Sequence, residues 1–313
     1  MKNTNRIQSI ALKGRFYSVL IAAFLASILI DWEARAGGIE LDPVIGPVLV
    51  PDETSDAWYR LEQTSDLVTW VLARDSIAWP SRVSLGRSGR NAAFYRFVTI
   101  DIPEGPFRIG VVGDSTAVGI ERFPLARGWA QELSAFTRED TRFVMAGTPG
   151  LSSKSFLGSF QELTLERTEP QVVLIQLGQI DEFTGSIEEK ATTLDEYRDN
   201  LMQIILFVRA WGGTPILVSP LPSRERIEDE FVPYLVERSD VVRSLEHELG
   251  VYVVDLNRLV RDLYSRTNPA DLEGLGHGDF YHLSVKGAEQ VARIVLAALP
   301  IHLRDLLFVA LDP

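Results

Sequence analysis

Three side chains of this sequence could together perform nucleophilic catalysis: Ser115, Asp279 and His282. A serine hydroxyl is a poor nucleophile until a neighbouring imidazole accepts its proton, and the imidazole needs a carboxylate that fixes its tautomer and stabilises its cation. Asp279 and His282 are three residues apart, so the carboxylate can reach the ring nitrogen that faces away from Ser115. The sequence therefore predicts a serine nucleophile, its base and the group that orients the base. The alternative for His282 is a solvated residue next to the start of the last helix.

The other three histidines fit this role less well. His247 lies in a charged helical run and His302 in an apolar C-terminal tail, so both are interpreted as structural. His277 is close to the predicted site but has no acidic partner downstream at the right spacing. His282 is therefore the candidate base.

The elements around Ser115 place it at the end of a buried strand. The apolar run from Ile109 to Val112 breaks at Gly113, Asp114 and Ser115, a pattern typical of a strand that ends in a sharp turn. Open α/β sheets bind ligands at the carboxyl ends of their strands. A Gly-Asp-Ser triplet alone is more often only a helix cap, and the Asp279–His282 pair is what favours the catalytic interpretation.

Five sequence blocks resemble the SGNH (GDSL-like) hydrolases, most of all the rhamnogalacturonan acetylesterase type, over about Arg108 to Pro300. The blocks follow the family's order: Gly113–Thr116 (nucleophile), Arg127–Gln131, Gly150–Phe156, Leu174–Asp181, and Asp279 with His282. The resemblance implies an oxyanion hole built from the backbone N–H groups of Ser115 and Gly150 and from an asparagine in the fourth block.

The fourth block departs from the family pattern, because Ile180 stands where the family has that asparagine. Isoleucine has no side-chain donor. Loss of one oxyanion donor typically lowers turnover by about 10²–10³. Gln179 is the possible substitute, since it is adjacent and carries an amide. Three outcomes stay open: a slow esterase, a rearranged hole, or a protein that only binds.

Beyond residue 106, short apolar runs alternate with helical patterns, which predicts a parallel sheet covered by helices on both faces. We expect an α/β fold, a flavodoxin-like three-layer sandwich with about five strands. The predicted strands are 108–112, 142–145, 172–176, 214–219 and 251–254. The predicted helices are 127–137, 154–165, 195–211, 233–249, 256–266 and 284–298. The charged stretch 223–230 is predicted to be a solvated loop that could border the cleft.

Composition narrows the function classes. The net charge is −12 and no Lys/Arg patch occurs, which argues against nucleic-acid binding. There is no cysteine, which excludes thiol catalysis, disulfides and cysteine metal sites. No His/Asp/Glu group has metal-ligand spacing and no phosphate loop occurs, so neither a metal nor a cofactor is predicted.

The first 36 residues are typical of an export signal. Four basic residues precede the uncharged, mostly apolar run Phe16 to Ile30, and Ala34-Arg35-Ala36 offers a small-x-small cleavage site. Fifteen helical residues would span about 22 Å, less than the roughly 30 Å of a bilayer core. We therefore expect cleavage and a periplasmic or secreted bacterial protein. The alternative is an uncleaved inner-membrane anchor, the one case in which a membrane would be a partner.

The predicted layout has four parts: a signal peptide (1–36), a small β-rich module with an extended lead-in (37–103), the hydrolase domain (107–300) and a tail (301–313). The aromatic residues Trp58, Trp70 and Trp79 of the module are interpreted as core, with sugar binding as the alternative.

The resemblance implies an exported serine esterase that removes small acyl groups, most of all acetyl, from carbohydrate through an acyl-enzyme. Two other functions stay open: a catalytically impaired carbohydrate-binding protein and a membrane-anchored acyltransferase partner. The acyl chain length, the polysaccharide and the oligomeric state are not predicted.

Overall fold

A computed structural model of the chain describes residues 106–182, 188–228, 230–300, 303, 304 and 308. Between residues 17 and 100 it describes the backbone of seven strands and the side chain of Leu61. The chain divides into two compact units, Met1–Ile102 and Pro103–Pro313. Trp70, Trp79 and His302 lie outside the described residues, as does most of the predicted signal peptide.

The first unit contains two antiparallel sheets. Its strands are β1 (Tyr17–Ile21), β2 (Ile39–Asp42), β3 (Gly46–Leu49), β4 (Trp58–Thr64), β5 (Val71–Ala78), β6 (Val83–Ser84) and β7 (Ala93–Ile100). One sheet has the order β1-β7-β4-β5 and the other β2-β3-β6. β1 lies within the apolar run that the sequence assigns to the export signal. Export and the boundaries of the module stay predictions.

The second unit is built on a parallel sheet of five strands. They are β8 (Phe107–Gly113), β9 (Thr141–Met145), β10 (Val172–Gln176), β11 (Thr214–Val218) and β14 (Tyr252–Val254), in the order β14-β11-β10-β8-β9. The central strand β10 is buried over its whole length, as expected where helices cover both faces. The predicted α/β fold is confirmed, with every strand within about two residues of its expected bounds.

Nine helices of the described residues connect and cover these strands. They are α1 (Ser115–Val118), α2 (Trp129–Leu133), α3 (Ser153–Phe156), α4 (Phe160–Thr168), α5 (Leu194–Ala210), α6 (Val236–Leu249), α7 (Leu256–Arg266), α8 (Pro269–Gly274) and α9 (Val285–Ala298). Short 3₁₀ turns lie at Ser134–Phe136 and Glu188–Lys190. None of the described helices is both long and apolar enough to cross a membrane.

The two faces of the sheet have separate helix layers. Val173 and Ile175 of β10 pack in one core with Leu201 of α5 and Leu245 of α6. Residues 172, 174 and 176 point to the opposite face because side chains alternate along a strand. On that face α2 packs against α9, and α9 against α7. The result is the three-layer sandwich that the sequence predicts.

The strand order locates the crevice of this sandwich. From β8 the chain moves outward to β9 and then returns to the other side of β8 as β10, so the winding direction reverses between β8 and β10. Open α/β sheets bind ligands at such a switch point, outside the carboxyl ends of the strands. Ser115 directly follows β8, and Gly178 to Asp181 follow β10.

Two local predictions were wrong. The single helix predicted at 154–165 is two helices, because Leu157 is extended and Gly158 has a φ of +77°, after which Ser159 caps α4 by accepting a hydrogen bond from the Glu162 N–H. The stretch 223–230, predicted as a loop, contains β12 (Arg226–Ile227), which pairs with β13 (Glu230–Phe231) as a small antiparallel hairpin. Helices α1 and α8 were not predicted.

Candidate active site

Ser115 is the first residue of α1, at the carboxyl end of β8. Asp114 caps this helix by accepting a hydrogen bond from the Thr116 N–H at 2.8 Å. The turn is tight, since a Cβ on Gly113 would lie 2.5 Å from Ala117 Cβ. Ser115 is only 9% exposed. The strand-to-helix turn therefore fixes the backbone of Ser115 and holds its hydroxyl at the crevice.

The loop between α8 and α9 brings His282 to Ser115. The Ser115 Oγ and His282 Nε2 atoms are 2.9 Å apart, and His282 Nδ1 is 2.6 Å from Asp279 Oδ2. Since a carboxylate only accepts hydrogen bonds, Nδ1 carries the proton, which leaves Nε2 free to accept the Ser115 hydroxyl proton. The structure thus brings together the three residues that the sequence places in the site.

The carboxylate of Asp279 is oriented by its own loop. Oδ1 accepts the backbone N–H groups of Tyr281 at 2.8 Å and His282 at 2.7 Å, which leaves Oδ2 for the imidazole. Partial burial acts to raise the pKa of Asp279, but the hydrogen bonds from His282 and Tyr281 outweigh burial and hold it below its usual value. Asp279 is therefore a carboxylate at neutral pH and can stabilise an imidazolium.

Of the other histidines, His277 is in the same loop, where its backbone N–H donates to the His282 carbonyl at 3.1 Å. His247 lies in the last turn of α6. Neither is joined to Ser115 by a hydrogen bond within the described part of the chain.

Beneath Ser115 lies a chain of buried hydrogen bonds. The Thr116 hydroxyl donates to Asp114 Oδ1 at 2.8 Å and accepts from Gln176 Nε2 at 2.9 Å, and Trp129 Nε1–H donates to Gln176 Oε1. Asp114, Gln176 and Trp129 are fully buried. This chain links the nucleophile turn to β10 and α2. Sequence reasoning missed it, although a glutamine in a wholly apolar strand was a usable signal.

Burial also changes the protonation of Asp114. Complete burial raises the pKa of this carboxyl to about 6. The hydrogen bonds from Thr116 and the charge of the nearby His282 act in the opposite direction but do not outweigh burial. The Oδ2 atom is buried without a hydrogen-bond partner among the described residues. The neutral acid is therefore favoured here more strongly than in water.

Two loops that the resemblance assigns to the oxyanion hole are tied together by Asp181. Its carboxylate accepts the backbone N–H and the hydroxyl of Ser153, and the hydroxyl of Thr192 at 2.9 Å. Arg238 donates to the Asp181 carbonyl at 2.8 Å. Burial raises the pKa of Asp181, and the Ser153, Thr192 and Arg238 contacts act against the rise. The loop of Gly150–Ser153 thus has a fixed relation to the turn after β10.

The remaining predicted oxyanion residues lie in these loops. Gly150 has a φ of +77°, and its carbonyl accepts a hydrogen bond from Lys190 Nζ at 2.9 Å. Ile180 is half-buried and offers no donor. The amide of Gln179 is buried with neither its Nε2 nor its Oε1 paired within the described residues. Whether Ser115, Gly150 or Gln179 donates to an oxyanion stays a prediction.

Within the described residues, no group of three or more His, Cys, Asp or Glu side chains could hold a metal ion.

Comparison with known proteins adds family information to this geometry. The model of the GDSL-like Lipase/Acylhydrolase family matches residues 111–290. The probable rhamnogalacturonan acetylesterase YesY of Bacillus subtilis (strain 168) is 24% identical over 201 residues, which is 61% of this chain and 88% of YesY.

Two solved structures are similar in fold. Protein YXIM_BACsu from Bacillus subtilis has a TM-score of 0.56 at 17% identity and covers 91% of this chain and 87% of its own. The acetylxylan esterase Axe2 from Geobacillus stearothermophilus has a TM-score of 0.50 at 23% identity and covers 62% of this chain and 94% of its own.

Proposed function

As a member of the GDSL-like lipase/acylhydrolase family this chain is a carboxylic ester hydrolase, and we propose that it removes acetyl groups from carbohydrate through a covalent intermediate on Ser115. The observation that carries the proposal is the unbroken line of hydrogen bonds from Ser115 Oγ through both nitrogens of His282 to Asp279.

The mechanism follows from the tautomer. Nε2 of His282 accepts the Ser115 proton while Oγ bonds to the ester carbonyl carbon, and Asp279 stabilises the imidazolium. The bond between the acyl carbon and the sugar oxygen then breaks, and that oxygen takes the proton from Nε2. A water molecule attacks the acyl-enzyme with His282 again as base, which releases acetate and restores Ser115. The backbone N–H groups of Ser115 and Gly150 are the proposed donors to the oxyanion.

The substrate class rests on the relatives. YesY and Axe2 are named for acetyl esters of two different polysaccharides, so acetylated carbohydrate is the chemistry they share. The proposed export is consistent with the same substrate, because cell-wall polysaccharides lie outside the cytoplasm. The proposal of export rests on the pattern of residues 2–36, in which basic residues precede an apolar run and a small-x-small cleavage site. Amino-terminal sequencing of protein exported by a bacterial host should then begin at about Gly37, and an intact amino terminus in the membrane fraction would contradict cleavage.

The nucleophile is tested by fluorophosphonate labelling followed by peptide mass spectrometry. Only an activated serine reacts at an appreciable rate, so the adduct is expected on the Ser115 peptide and absent from Ser115→Ala. Ser244→Ala is the matched control, since Ser244 is an exposed serine of α6, and it should label like the wild type. An adduct that persists in Ser115→Ala would overturn the assignment.

The acyl group and the substrate are tested on the same preparations. Turnover should fall from 4-nitrophenyl acetate to the butyrate and octanoate esters, and acetate should be released from acetylated xylan or pectin. A preference for octanoate would contradict the acetylesterase proposal while leaving Ser115 as nucleophile.

A further inference from the structure

Arg224 contacts both ends of the loop segment that carries Asp279 and His282. Its Nη2 donates to the Asp279 carbonyl at 2.6 Å and to the His282 carbonyl at 2.8 Å. The Arg224 backbone N–H donates to the carbonyl of Phe280 at 3.0 Å. One residue, which follows β11, therefore holds three of the four carbonyls from 279 to 282.

The guanidinium of Arg224 is buried where it binds these carbonyls. Arg224 is 6% exposed, and no ion pair joins it to an acidic side chain of the described residues. Its Nη1 and the Tyr264 hydroxyl are both buried and make no other hydrogen bond among the described residues. The charge of Arg224 and its contact with this hydroxyl act against the rise that burial causes in the Tyr264 pKa. Hydrogen bonds from a cation to carbonyl groups are about twice as strong as neutral ones. The loop thus receives strong bonds from a cation with few other partners.

A glycine makes room for this cation. A Cβ placed on Gly276 would lie 2.2 Å from Arg224 Nη2 and 2.6 Å from its Cζ. Real atoms do not approach this closely, so any larger residue at 276 must displace the guanidinium. Gly276 itself pairs with Leu283 in an isolated bridge at the other end of the same loop.

Other contacts hold this loop at Leu283, which is buried, and at Tyr281, whose ring packs against that of Tyr234. Asp279 and His282 have side chains that are 41% and 26% exposed, and Phe280 between them is 51% exposed. The exposed side chains at 279, 280 and 282 contribute little apolar packing, so the position of this segment depends largely on its backbone hydrogen bonds. The geometry of the Ser115–His282 pair then depends on where the carbonyls of 279 and 282 are held.

We propose that Arg224 is a positioning residue of the esterase, which sets the place of His282 and Asp279 relative to Ser115 by holding the carbonyls at both ends of their segment. The proposal rests on the proposed catalytic function of these three residues. Arg224 bonds to backbone carbonyls of this loop and not to Ser115 Oγ or the His282 ring, so its removal should slow the chemical step and leave substrate binding nearly unchanged. A misplacement of about 1 Å in such a site can cost on the order of a hundredfold in rate.

Gly276→Ala tests this without removing any charge or donor. We expect kcat to fall by about 10- to 100-fold, with KM within about twofold of the wild type. Gly274→Ala is the matched control, because it lies two residues away in α8 and a Cβ there meets no atom within 4 Å. It should keep wild-type kcat. A folded Gly276→Ala with wild-type kcat, or with its loss in KM alone, would overturn the proposal.

Arg224→Met and Arg224→Lys form the second test, which decides the matter if Gly276→Ala does not fold. Because a single nitrogen makes both side-chain bonds, the three N–H groups of lysine can restore part of them. We expect the loss of log kcat in Arg224→Lys to be at least one third smaller than the loss in Arg224→Met. Arg226→Met removes the same charge from an exposed neighbour and should keep wild-type kcat. Equal losses in Met and Lys would contradict the positioning role.

The imidazole proton gives a direct readout. In the wild type and Gly274→Ala, the Nδ1 proton of His282 should give a far-downfield NMR signal, because it is bound to a carboxylate. In Gly276→Ala and Arg224→Met this signal should broaden or disappear while the folded methyl spectrum persists. An unchanged signal in both variants would overturn the proposal. Ser115→Ala tests the proposed function separately. If this variant kept wild-type activity, the proposed function would fail, whatever the result for the Gly276 and Arg224 variants.

Discussion

The two sides of the site are built by different physical means. The nucleophile side lies at the carboxyl ends of β8 and β10 (Asp114–Thr116 and Gln176–Ile180). There Asp114, Thr116 and Gln176 are buried and bonded to one another through their side chains. The base loop, His277–Leu283, has exposed or half-buried side chains except for the buried Leu283, and it is held largely through its backbone. A change in this buried network should therefore alter stability, whereas a change in the base loop should alter activity almost alone.

The largest effect in the base loop is expected from Asp279→Asn. Oδ1 accepts two backbone N–H groups, so the amide oxygen will stay there and the NH₂ group will face His282. The imidazole must then accept at Nδ1 and carry its proton on Nε2, the wrong tautomer for a base. We expect kcat/KM to fall by about 10⁴-fold, as for the same change in serine proteases.

The control for this variant is its stability. The melting temperature of Asp279→Asn at pH 7 should stay within about 3 °C of the wild type, because the residue is exposed. A loss of activity below tenfold would argue against the proposed role of Asp279. A large loss of stability would argue against the contrast between the two sides.

The next effect is a gain, expected from Ile180→Asn. If the backbone N–H groups of Ser115 and Gly150 are the only oxyanion donors, a restored amide should raise turnover by up to about 10²-fold. The gain should appear in kcat more than in KM, because the bond strengthens as charge develops on the oxygen. A stable variant with unchanged kcat would rule out the two-donor account.

Gln176→Leu should lower stability on the nucleophile side. It leaves the buried Trp129 Nε1–H without an acceptor and removes a donor to Thr116, so we expect about 2–3 kcal/mol less free energy of unfolding. Gln203→Leu is the control, since Gln203 is exposed on α5 and should change this free energy by about 0.5 kcal/mol or less. Urea denaturation measures both. Equal effects at the two positions would contradict the importance of the buried chain.

A smaller effect concerns pH and Asp114. Its folded pKa of about 6 lies above the ordinary value of 3.8, so the folded state binds the proton more tightly than the unfolded state. The contribution of this carboxyl to stability is therefore fully present below about pH 4 and is lost as the pH rises through about 6.

Asp114→Asn mimics the neutral acid and removes this loss. We expect the difference in melting temperature between the variant and the wild type to be about 3 °C or more larger at pH 7.5 than at pH 4, measured by calorimetry. A constant difference across this range would contradict the raised pKa. Asp271→Asn, on an exposed residue of α8, is the control.

The sequence predicted those parts of the molecule that depend on local patterns. Alternating apolar runs gave the five strands, and the short spacing of Asp279 and His282 placed both on one loop. The bonds from Gln176 to Trp129 and from Arg224 to the base loop were not predicted, because each joins residues 47 or more positions apart and no sequence motif marks the partner. The glutamine in an apolar strand indicates only that a buried partner exists. The break between α3 and α4 was missed for the opposite reason. Gly158 and Ser159 form a local stop and restart that the apolar spacing concealed.

Gln179 gives the smallest predicted effect and separates two accounts of the nucleophile side. A buried amide with neither atom paired costs about 1–3 kcal/mol. If the amide has no catalytic role, Gln179→Met keeps the volume, removes this cost and should raise the free energy of unfolding by about 1–2 kcal/mol with kcat unchanged. If the amide instead turns toward the oxyanion when substrate binds, the same variant should lose about a hundredfold in kcat. Since both Gln179 atoms are sealed from solvent in the structure, we expect the first result. A stable Gln179→Met with a large loss of kcat and unchanged KM would establish the second. In that case the buried side of the site would move during catalysis, and the contrast with the base loop would hold only for the free enzyme.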